Sequence, residues 1–389
     1  MIIEPRIRGF ICTTAHPQGC AQNVREQAAY VRARGDIPDI PKRVAVLGCS
    51  TGYGLASRIV ATFGGGADTI GVSLEREPGE TKSASAGWYN NRAFELEARK
   101  LGKDPVTLEG DAFSDTLKAE FIEAVRAKFG QLDLLVYSMA APAKTDPDTG
   151  VLHRSAIKPL GAPVTTKTLN TDSGEVHEIT VQPATGEETD ATVAVMGGDD
   201  WLRWIRQLKD AGVLAPGFRT LNFTYIGGDM TRAIYGGGTL GRAKADLDRA
   251  AVDIRALLGP DAARVVALKA VVTQASSAIP ALPLYGTVLF KVMKEQGLHE
   301  GCIEQIDRLF RTRLGPDAPV DEAMRLRLDD WELRPGVQAE VARRWPHVTT
   351  ETLAELADPA ENRAQFLRLF GFGIAGVDYS ADVDPRVVR

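Results

Sequence analysis

Short apolar runs alternate with stretches of helical periodicity along the first two-thirds of the chain. RVAVLG (43–48) is followed by Leu55, Ile59 and Val60, spaced for one face of a helix. DTIGVSL (68–74) and PVTLEG (105–110) come next, the second leading into a helix around Leu117, Phe121 and Val125, and LDLLVYS (132–138) follows that helix. Further on, FRTLNFTYIG (218–227) precedes a helix near 240–257, and RVVALKAVVT (264–273) follows it. Strands that are apolar on both faces and alternate with helices predict a parallel sheet covered on both sides. The expected class is therefore α/β, a Rossmann-type doubly wound parallel sheet of six strands. LFGFGIAGVDY (369–379) is a candidate seventh.

One interval breaks this rhythm. Between 145 and 197, the turn-rich tracts TDPDTG, TLNTDSGEV and QPATGEETD separate short Thr/Val segments and read as inserted hairpins. Trp201 to Leu208 resumes an amphipathic helix, with Asp199 or Asp200 near its N-cap. A helix from Val24 to Arg34 precedes the first strand, and the chain beyond about 288 reads as mostly helical. The longest uncharged run, Ala270 to Phe290, holds Thr273, Gln274, Ser276, Ser277, Pro280, Pro283 and Gly286, so it reads as strand, loop and helix rather than a membrane span. The expected organisation is one enlarged domain over 1–389. Its parts are an N-terminal segment (1–42), a first dinucleotide-binding half (43–144), a hairpin-rich insertion (145–200), a second half (201–287) and a helical C-terminal part (288–389).

Composition narrows the function. With 389 residues, 44% hydrophobic and 25% charged, the chain can build a large core, which excludes wholesale disorder. Lys and Arg number 46 against 51 Asp and Glu, a net of −5, which argues against a nucleic-acid-binding protein. Four cysteines, at 12, 20, 49 and 302, are too few to staple this length, and the start MIIEPRIRGF lacks the pattern of a secretory signal. A cytoplasmic protein is expected. Cys12, His16 and Cys20 are evenly spaced and could in principle hold zinc, but an N-terminal turn explains them better, and no metal is expected.

The first strand runs into Gly48-Cys49-Ser50-Thr51-Gly52-Tyr53-Gly54 and then a helix. Such glycines allow a tight turn and close approach of backbone amides to a pyrophosphate at a helix N-terminus. A nucleotide triphosphatase loop would carry Lys followed by Ser or Thr where Tyr53-Gly54 stands. Glu75, at the end of the second strand, is placed to accept hydrogen bonds from an adenosine ribose and to repel a 2′-phosphate, favouring NADH over NADPH, although Arg76 beside it argues the other way. Asp111, past the third strand, is placed either to meet adenine or to cap the next helix, and Ser138-Met139-Ala140 closes the fourth strand at the same edge.

Tyr235 and Lys244 supply a candidate acid and a cation that would lower its pKa. Nine positions apart, they would face opposite sides of one continuous helix. Gly236, Gly237 and Gly238 instead imply an irregular lead-in, a helix starting near Thr239, and convergence of the two side chains. Tyr225, at the end of the preceding strand, could hold a substrate carbonyl or simply pack.

These segments make the chain resemble a known family. RGFICTTAHPQGC (8–20), GCSTGYG (48–54), AGWYNNRAF (86–94), YSMAAP (137–142), FTYIGGDMTRAIYGGGTLGRAK (223–244) and VTQASSAIP (272–280) closely resemble the FabV class of trans-2-enoyl-[acyl-carrier-protein] reductases and the related trans-2-enoyl-CoA reductases. The resemblance spans essentially the full length and includes the Tyr-x8-Lys spacing. It implies NADH-dependent reduction of enoyl thioesters on acyl carrier protein or CoA, in a monomer, as the last reductive step of fatty acid elongation. It further implies that Gly48, Cys49, Ser50, Thr51, Gly52 and Tyr53 meet the pyrophosphate, Leu74 and Glu75 the adenosine ribose, and Asp111 and Ala112 the adenine. Met139 and Ala140 would line the nucleotide path, and Thr273, Gln274 and Ala275 its nicotinamide end. Tyr225 would contact substrate, Tyr235 donate the proton and Lys244 bind the cofactor. An acidic carrier would need a basic docking surface, for which Arg308, Arg311 and Arg313, or Arg325 and Arg327, are candidates. A carbonyl reductase or epimerase of the short-chain class, or a non-catalytic dinucleotide sensor, would use much of the same loop.

Overall fold

Alternate residues of the central strands enter two separate cores, which is why the sheet is covered on both faces. In the computed structural model, Val44, Val46, Leu134 and Val136 pack into one buried cluster, while Ala45, Leu47, Leu135 and Tyr137 pack into the other. This is the period-two geometry of a strand with no solvent face. The structure describes every residue except Phe10, Asp172, Pro316 and Arg389. Phe10 of the N-terminal motif and Asp172 of the second turn-rich tract therefore lie outside the described residues.

The main sheet consists of β1 (Arg43–Leu47), β2 (Asp68–Ser73), β3 (Val106–Glu109), β4 (Leu132–Tyr137), β5 (Leu214–Tyr225), β6 (Ala263–Leu268) and β7 (Leu326–Arg327). All pair in parallel, in the order β3-β2-β1-β4-β5-β6-β7. The order reverses between β1 and β4, where Leu47 pairs with Tyr137, and such a switch point opens a crevice at the carboxyl ends of the strands. Helices Pro17–Ala33, Gly52–Ile59 and Cys302–Thr312 cover one face, the last burying Ile306, Leu309 and Phe310. Helices Asp115–Phe129, Asp199–Asp210 and Thr239–Leu258 cover the other around Trp201 and Trp204, both fully buried. Burying a large apolar side chain of this kind stabilises the fold by about 1.5–3 kcal/mol.

Several expectations need correction. The seventh strand is Leu326–Arg327, not 369–379, whose three glycines Gly371, Gly373 and Gly376 all have positive φ and form turns instead. The inserted region does hold two hairpins, Ala143–Thr145 with Leu152–Arg154 and Val164–Leu169 with Val176–Val181. Its third tract is a helix, Gly186–Met196, because Thr185 and Glu188 close a reciprocal capping box. Gly198, not Asp199 or Asp200, is the N-cap of the following helix. The first helix begins at Pro17, earlier than its apolar periodicity indicates, since His16 caps it by accepting from the Gly19 amide at 3.1 Å. β6 stops at Leu268, where the chain turns to feed two helices, Gln274–Ser277 and Leu282–Glu295.

Candidate active site

The carboxyl ends of six strands surround a cavity of about 640 Å³, within the range of small-molecule and cofactor sites. β1 delivers Gly48 and Ser50–Tyr53, β2 Leu74 and Glu75, β3 Asp111 and Ala112, and β4 Ser138–Ala140. β5 brings Tyr225, and the chain beyond β6 brings Thr273, Gln274 and Ala275. Tyr235 and Lys244 reach the same wall from the lead-in and first turns of the Thr239–Leu258 helix. Of the residues that the resemblance assigns to cofactor, substrate or proton transfer, Cys49 alone does not line this cavity. Its fully buried thiol lies behind the loop, 3.5 Å from the Asn91 amide oxygen, beside the Arg58 guanidinium.

The loop is shaped for close backbone approach. Gly48 has φ +76°, and a Cβ there would lie 2.2 Å from the Ser138 carbonyl oxygen. A Cβ on Gly54 would lie 1.9 Å from the Gly48 carbonyl oxygen, so only glycine lets the helix start directly behind the turn. Thr51 enters the helix with extended backbone and no side-chain cap, which leaves the first-turn amides without that partner at the cavity wall. This cradle fits a pyrophosphate. Tyr53 contributes its backbone, since its hydroxyl donates to the Lys269 carbonyl at 3.0 Å and its ring packs on Phe223.

Past β2, Glu75 accepts from the Ser50 hydroxyl at 2.6 Å, which fixes the carboxylate over the loop. Leu74 is largely exposed. Asp111 does not cap the next helix; Ser114 does, while Asp111 accepts from the Phe113 amide at 2.9 Å. Below it, the buried Lys118 ammonium donates to the Ala112 and Phe113 carbonyls at 2.9 and 2.8 Å and pairs with Asp200 at 2.9 Å. Tyr137 donates to the same Asp200 at 2.9 Å. This network holds the loop after β3 in place; Lys118 carries no local sequence signal, and Asp200 only that of a helix start.

At the far end the helix does begin at Thr239, and Tyr235 lies in the irregular lead-in. Tyr235 is buried, its ring standing edge-on to Tyr225 with centroids 5.0 Å apart at 84°. Burial raises the Tyr235 phenol pKa above its ordinary value, opposed only by a backbone hydrogen bond at Tyr225. The expectation of a pKa lowered by the cation is thus reversed: desolvation dominates and the phenol stays neutral. Burial also lowers the Lys244 ammonium to about 8, against the opposing charge of Asp248, and its Nζ sits 3.5 Å from the Phe223 carbonyl. The Tyr225 hydroxyl is already engaged, donating to Glu332 at 2.9 Å. Thr273 caps the Gln274–Ser277 helix by accepting from the Ser276 amide.

Elsewhere, no group of three or more His, Cys, Asp or Glu among the described residues is arranged to hold a metal ion, and His16 serves as a helix cap. The arginines considered for a basic surface are all paired: Arg308 with Glu300 and Asp330, Arg311 with Asp307, Arg313 with Asp330, Arg325 with Asp248 and Arg327 with Asp329. Each stands against a carboxylate, so none is an unpaired charge. No helix among the described residues is long and apolar enough to cross a membrane.

Comparison with known proteins is consistent along the whole chain. Residues 82–314 match the family described as trans-2-enoyl-CoA reductase catalytic region, and residues 2–80 match its NAD(P)H binding domain. A third family, described as an enoyl reductase FAD binding domain, matches residues 320–383. Those residues do not fit a flavin. They form a two-residue edge strand and short helices, and their buried carboxylates Asp329 and Glu332 are bonded within the protein. None of them lines the strand-end cavity. The enoyl-[acyl-carrier-protein] reductase [NADH] FabV of Aeromonas salmonicida is 54% identical, covering 100% of this chain and 98% of its own. The enoyl-[acyl-carrier-protein] reductase [NADH] of Edwardsiella ictaluri is 53% identical with the same coverage. The crystal structure of Treponema denticola trans-2-enoyl-CoA reductase in complex with NAD superposes with a TM-score of 0.96 at 48% identity, covering 100% of this chain and 99% of that one.

Proposed function

This chain belongs to the family of FabV and trans-2-enoyl-CoA reductases, and from that membership we infer how its cavity carries out the family's reaction. It is an NADH-dependent enoyl reductase that converts trans-2-enoyl thioesters to saturated acyl thioesters, in fatty acid synthesis. The observation that carries the assignment of roles is the convergence of the glycine loop, Tyr235 and Lys244 on one cavity.

When bound, NADH would supply a hydride to the β-carbon of the enoyl thioester, which shifts the electron pair of the double bond onto the thioester oxygen. Tyr235 meets that oxygen with a neutral O–H, because burial keeps the phenol protonated. Its hydrogen bond strengthens as the enolate charge develops, as in an oxyanion hole. Lys244, tethered near the Phe223 carbonyl, holds the nicotinamide ribose through its ammonium. Tyr225 borders the substrate with its ring and directs its own proton to Glu332. The loop amides of Ser50–Tyr53 hold the pyrophosphate, Glu75 and Leu74 the adenosine ribose, Asp111 and Ala112 the adenine, and Met139 and Ala140 the path between. Thr273, Gln274 and Ala275 border the nicotinamide. The Tyr235 phenol gives the proton that the α-carbon takes up, solvent restores it, and the saturated acyl thioester is complete.

Tyr235→Phe tests the central role. Removing one such donor costs about 10²–10³ in rate, so kcat should fall by that factor while NADH affinity, measured by nicotinamide fluorescence, stays within about twofold. Unchanged turnover refutes the assignment. The carrier is part of the proposal too: the substrate is an enoyl group on acyl carrier protein or CoA, and the enzyme acts as a cytoplasmic monomer built as one enlarged Rossmann domain. NADH consumption with enoyl thioesters of increasing length on both carriers decides between the handles, and sedimentation tests the monomer.

A further inference from the structure

A carboxylate behind the reaction end of the cavity ties three elements of its wall together. Glu332 has no exposed surface and lies in the turn region between β7 and the Pro335–Arg344 helix. Its Oε1 accepts from the Tyr225 hydroxyl at 2.9 Å and from the Tyr285 hydroxyl at 2.8 Å. Its Oε2 accepts from the Ala270 amide at 2.6 Å. Gln338 completes the set, donating from Nε2 to the Tyr285 oxygen at 3.2 Å and to the Glu332 carbonyl at 2.8 Å. These bonds reach the last residue of β5, the loop after β6 and the Leu282–Glu295 helix.

Two of the three donors, Tyr225 and Ala270, line the cavity, and the Tyr225 ring is the surface on which Tyr235 stands edge-on. A fully buried carboxylate is costly unless hydrogen-bonded, and here three donors answer it, the nearby Lys269 adding a compensating charge. A phenol ring held only by packing can tilt about its χ angles. Pinned through its hydroxyl to a carboxylate, it has one orientation, which the neighbouring ring inherits. The same bond turns the Tyr225 proton away from the substrate oxygen.

We propose that Glu332 is a positioning residue for the reduction, fixing the Tyr225 ring and through it the orientation of the Tyr235 hydroxyl. The proposal rests on Tyr235 being the donor, which Tyr235→Phe tests separately: a fully active Tyr235→Phe would overturn the donor role itself, whatever the Glu332 variants do. The experiment is steady-state kinetics of the full-length Glu332→Gln, Tyr225→Phe and double variants with crotonyl-CoA and NADH. Thermal midpoints and NADH binding by fluorescence are read alongside. Each single variant should lower kcat at least about tenfold, with the NADH KM within about twofold. The double variant should fall no further than the worse single, because both abolish the bond from the Tyr225 hydroxyl: the single oxygen of the glutamine is needed at the Ala270 amide, which turns its NH2 toward the two tyrosines. Multiplying effects in the double variant, or a Glu332→Gln kcat within twofold of wild type, overturns the proposal. So does a loss explained entirely by a smaller folded fraction. If Glu332→Gln does not fold, Glu332→Asp keeps the charge but falls one methylene short. It should then show the same kcat loss with KM retained, and wild-type turnover in it overturns the proposal.

Discussion

Replacing Gly54 by alanine tests the phosphate loop without touching any side chain that could meet a ligand. The added methyl carbon would sit 1.9 Å from the Gly48 carbonyl oxygen and 3.3 Å from the Ser138 Cβ. Real Cβ atoms do not approach closer than 3.0 Å, so the helix start and the turn must separate by at least 3.0 − 1.9 = 1.1 Å. The atom in the way is backbone, which cannot rotate aside, and it continues β1, which β2 and β4 hold from either side. Overpacking of this kind costs about 1–3 kcal/mol of stability. The displacement also moves the turn relative to the first-turn amides by about an ångström, so an ion held by both loses part of its hydrogen bonding. NADH affinity should weaken about 10–100-fold, or about 1.4–2.7 kcal/mol. The assay is fluorescence titration with NADH, paired with thermal unfolding. Gly66→Ala is the control: Gly66 also has a constrained backbone, with φ +64°, but nothing lies within 4 Å of its would-be Cβ. It should lose stability through strain and keep its NADH affinity. If Gly54→Ala binds NADH like wild type, or no worse than Gly66→Ala, the cradle is not where the pyrophosphate sits.

The remaining predictions concern charge. Lys244 titrates in the folded chain at about 8, below its ordinary 10.5, because burial disfavours the ammonium. Between those values the unfolded chain binds more protons than the folded one, so this group makes stability rise with pH across that window. NADH affinity should move the opposite way, falling above about pH 8 as the ammonium that holds the ribose is lost. In Lys244→Met that pH dependence should flatten, and a variant titration superimposing on wild type would remove Lys244 from cofactor binding. Lys269, also held at about 8 by burial, is present in both proteins and does not confound the comparison. Glu75→Gln removes a partly exposed charge from the ribose end while keeping an acceptor for the Ser50 hydroxyl. Like charges at about 4 Å repel by roughly 1 kcal/mol in water and roughly 4 kcal/mol at an effective dielectric of 20, and the partial exposure of Glu75 puts this pair toward the lower end, at about 1–2 kcal/mol. NADPH kcat/KM should therefore rise about tenfold relative to NADH, and an unchanged ratio would show that Glu75 does not exclude the 2′-phosphate.

The parts of the site that were legible in the sequence share a physical property: their constraint is local. Gly48, Gly52 and Gly54 announce a turn between an apolar run and a helix because a backbone conformation, not a partner, requires them. Gly236–Gly238 likewise locate the helix start at Thr239, which brings Tyr235 and Lys244 to one cavity. The β1, β2 and β4 runs were legible because burial on both faces leaves a continuous apolar stretch with little else it could form, whereas the edge strand β3 is only half-buried and was marked by its place between two helical stretches. By the same logic 369–379 misled. It is apolar and of strand length, and Phe370, Phe372 and Ile374 are indeed buried, but they pack as turns against other elements rather than as a strand. Hydrophobicity specifies burial, and it specifies a ladder only when the backbone can extend.

Buried polar networks escape this kind of reading because their partners are distant along the chain. Lys118 and Asp200 lie 82 positions apart (200 − 118), and in isolation the first reads as part of a solvated helix face and the second as a helix start. The arginines of the C-terminal part meet the same obstacle: their charge suits a docking surface and an ordinary solvated helix face alike, and only the fold shows Asp248, Asp307, Asp329, Asp330 and Glu300 paired with them. Glu332 is the strongest case. Its acceptors reach Tyr225, 107 positions earlier, and Tyr285, 47 positions earlier, so nothing in the surrounding Asp-Trp-Glu-Leu marks it as part of the site. It follows that the region 320–383 serves the reaction without lining the cavity: it covers the far edge of the sheet and sends one carboxylate inward to hold the ring beside the acid.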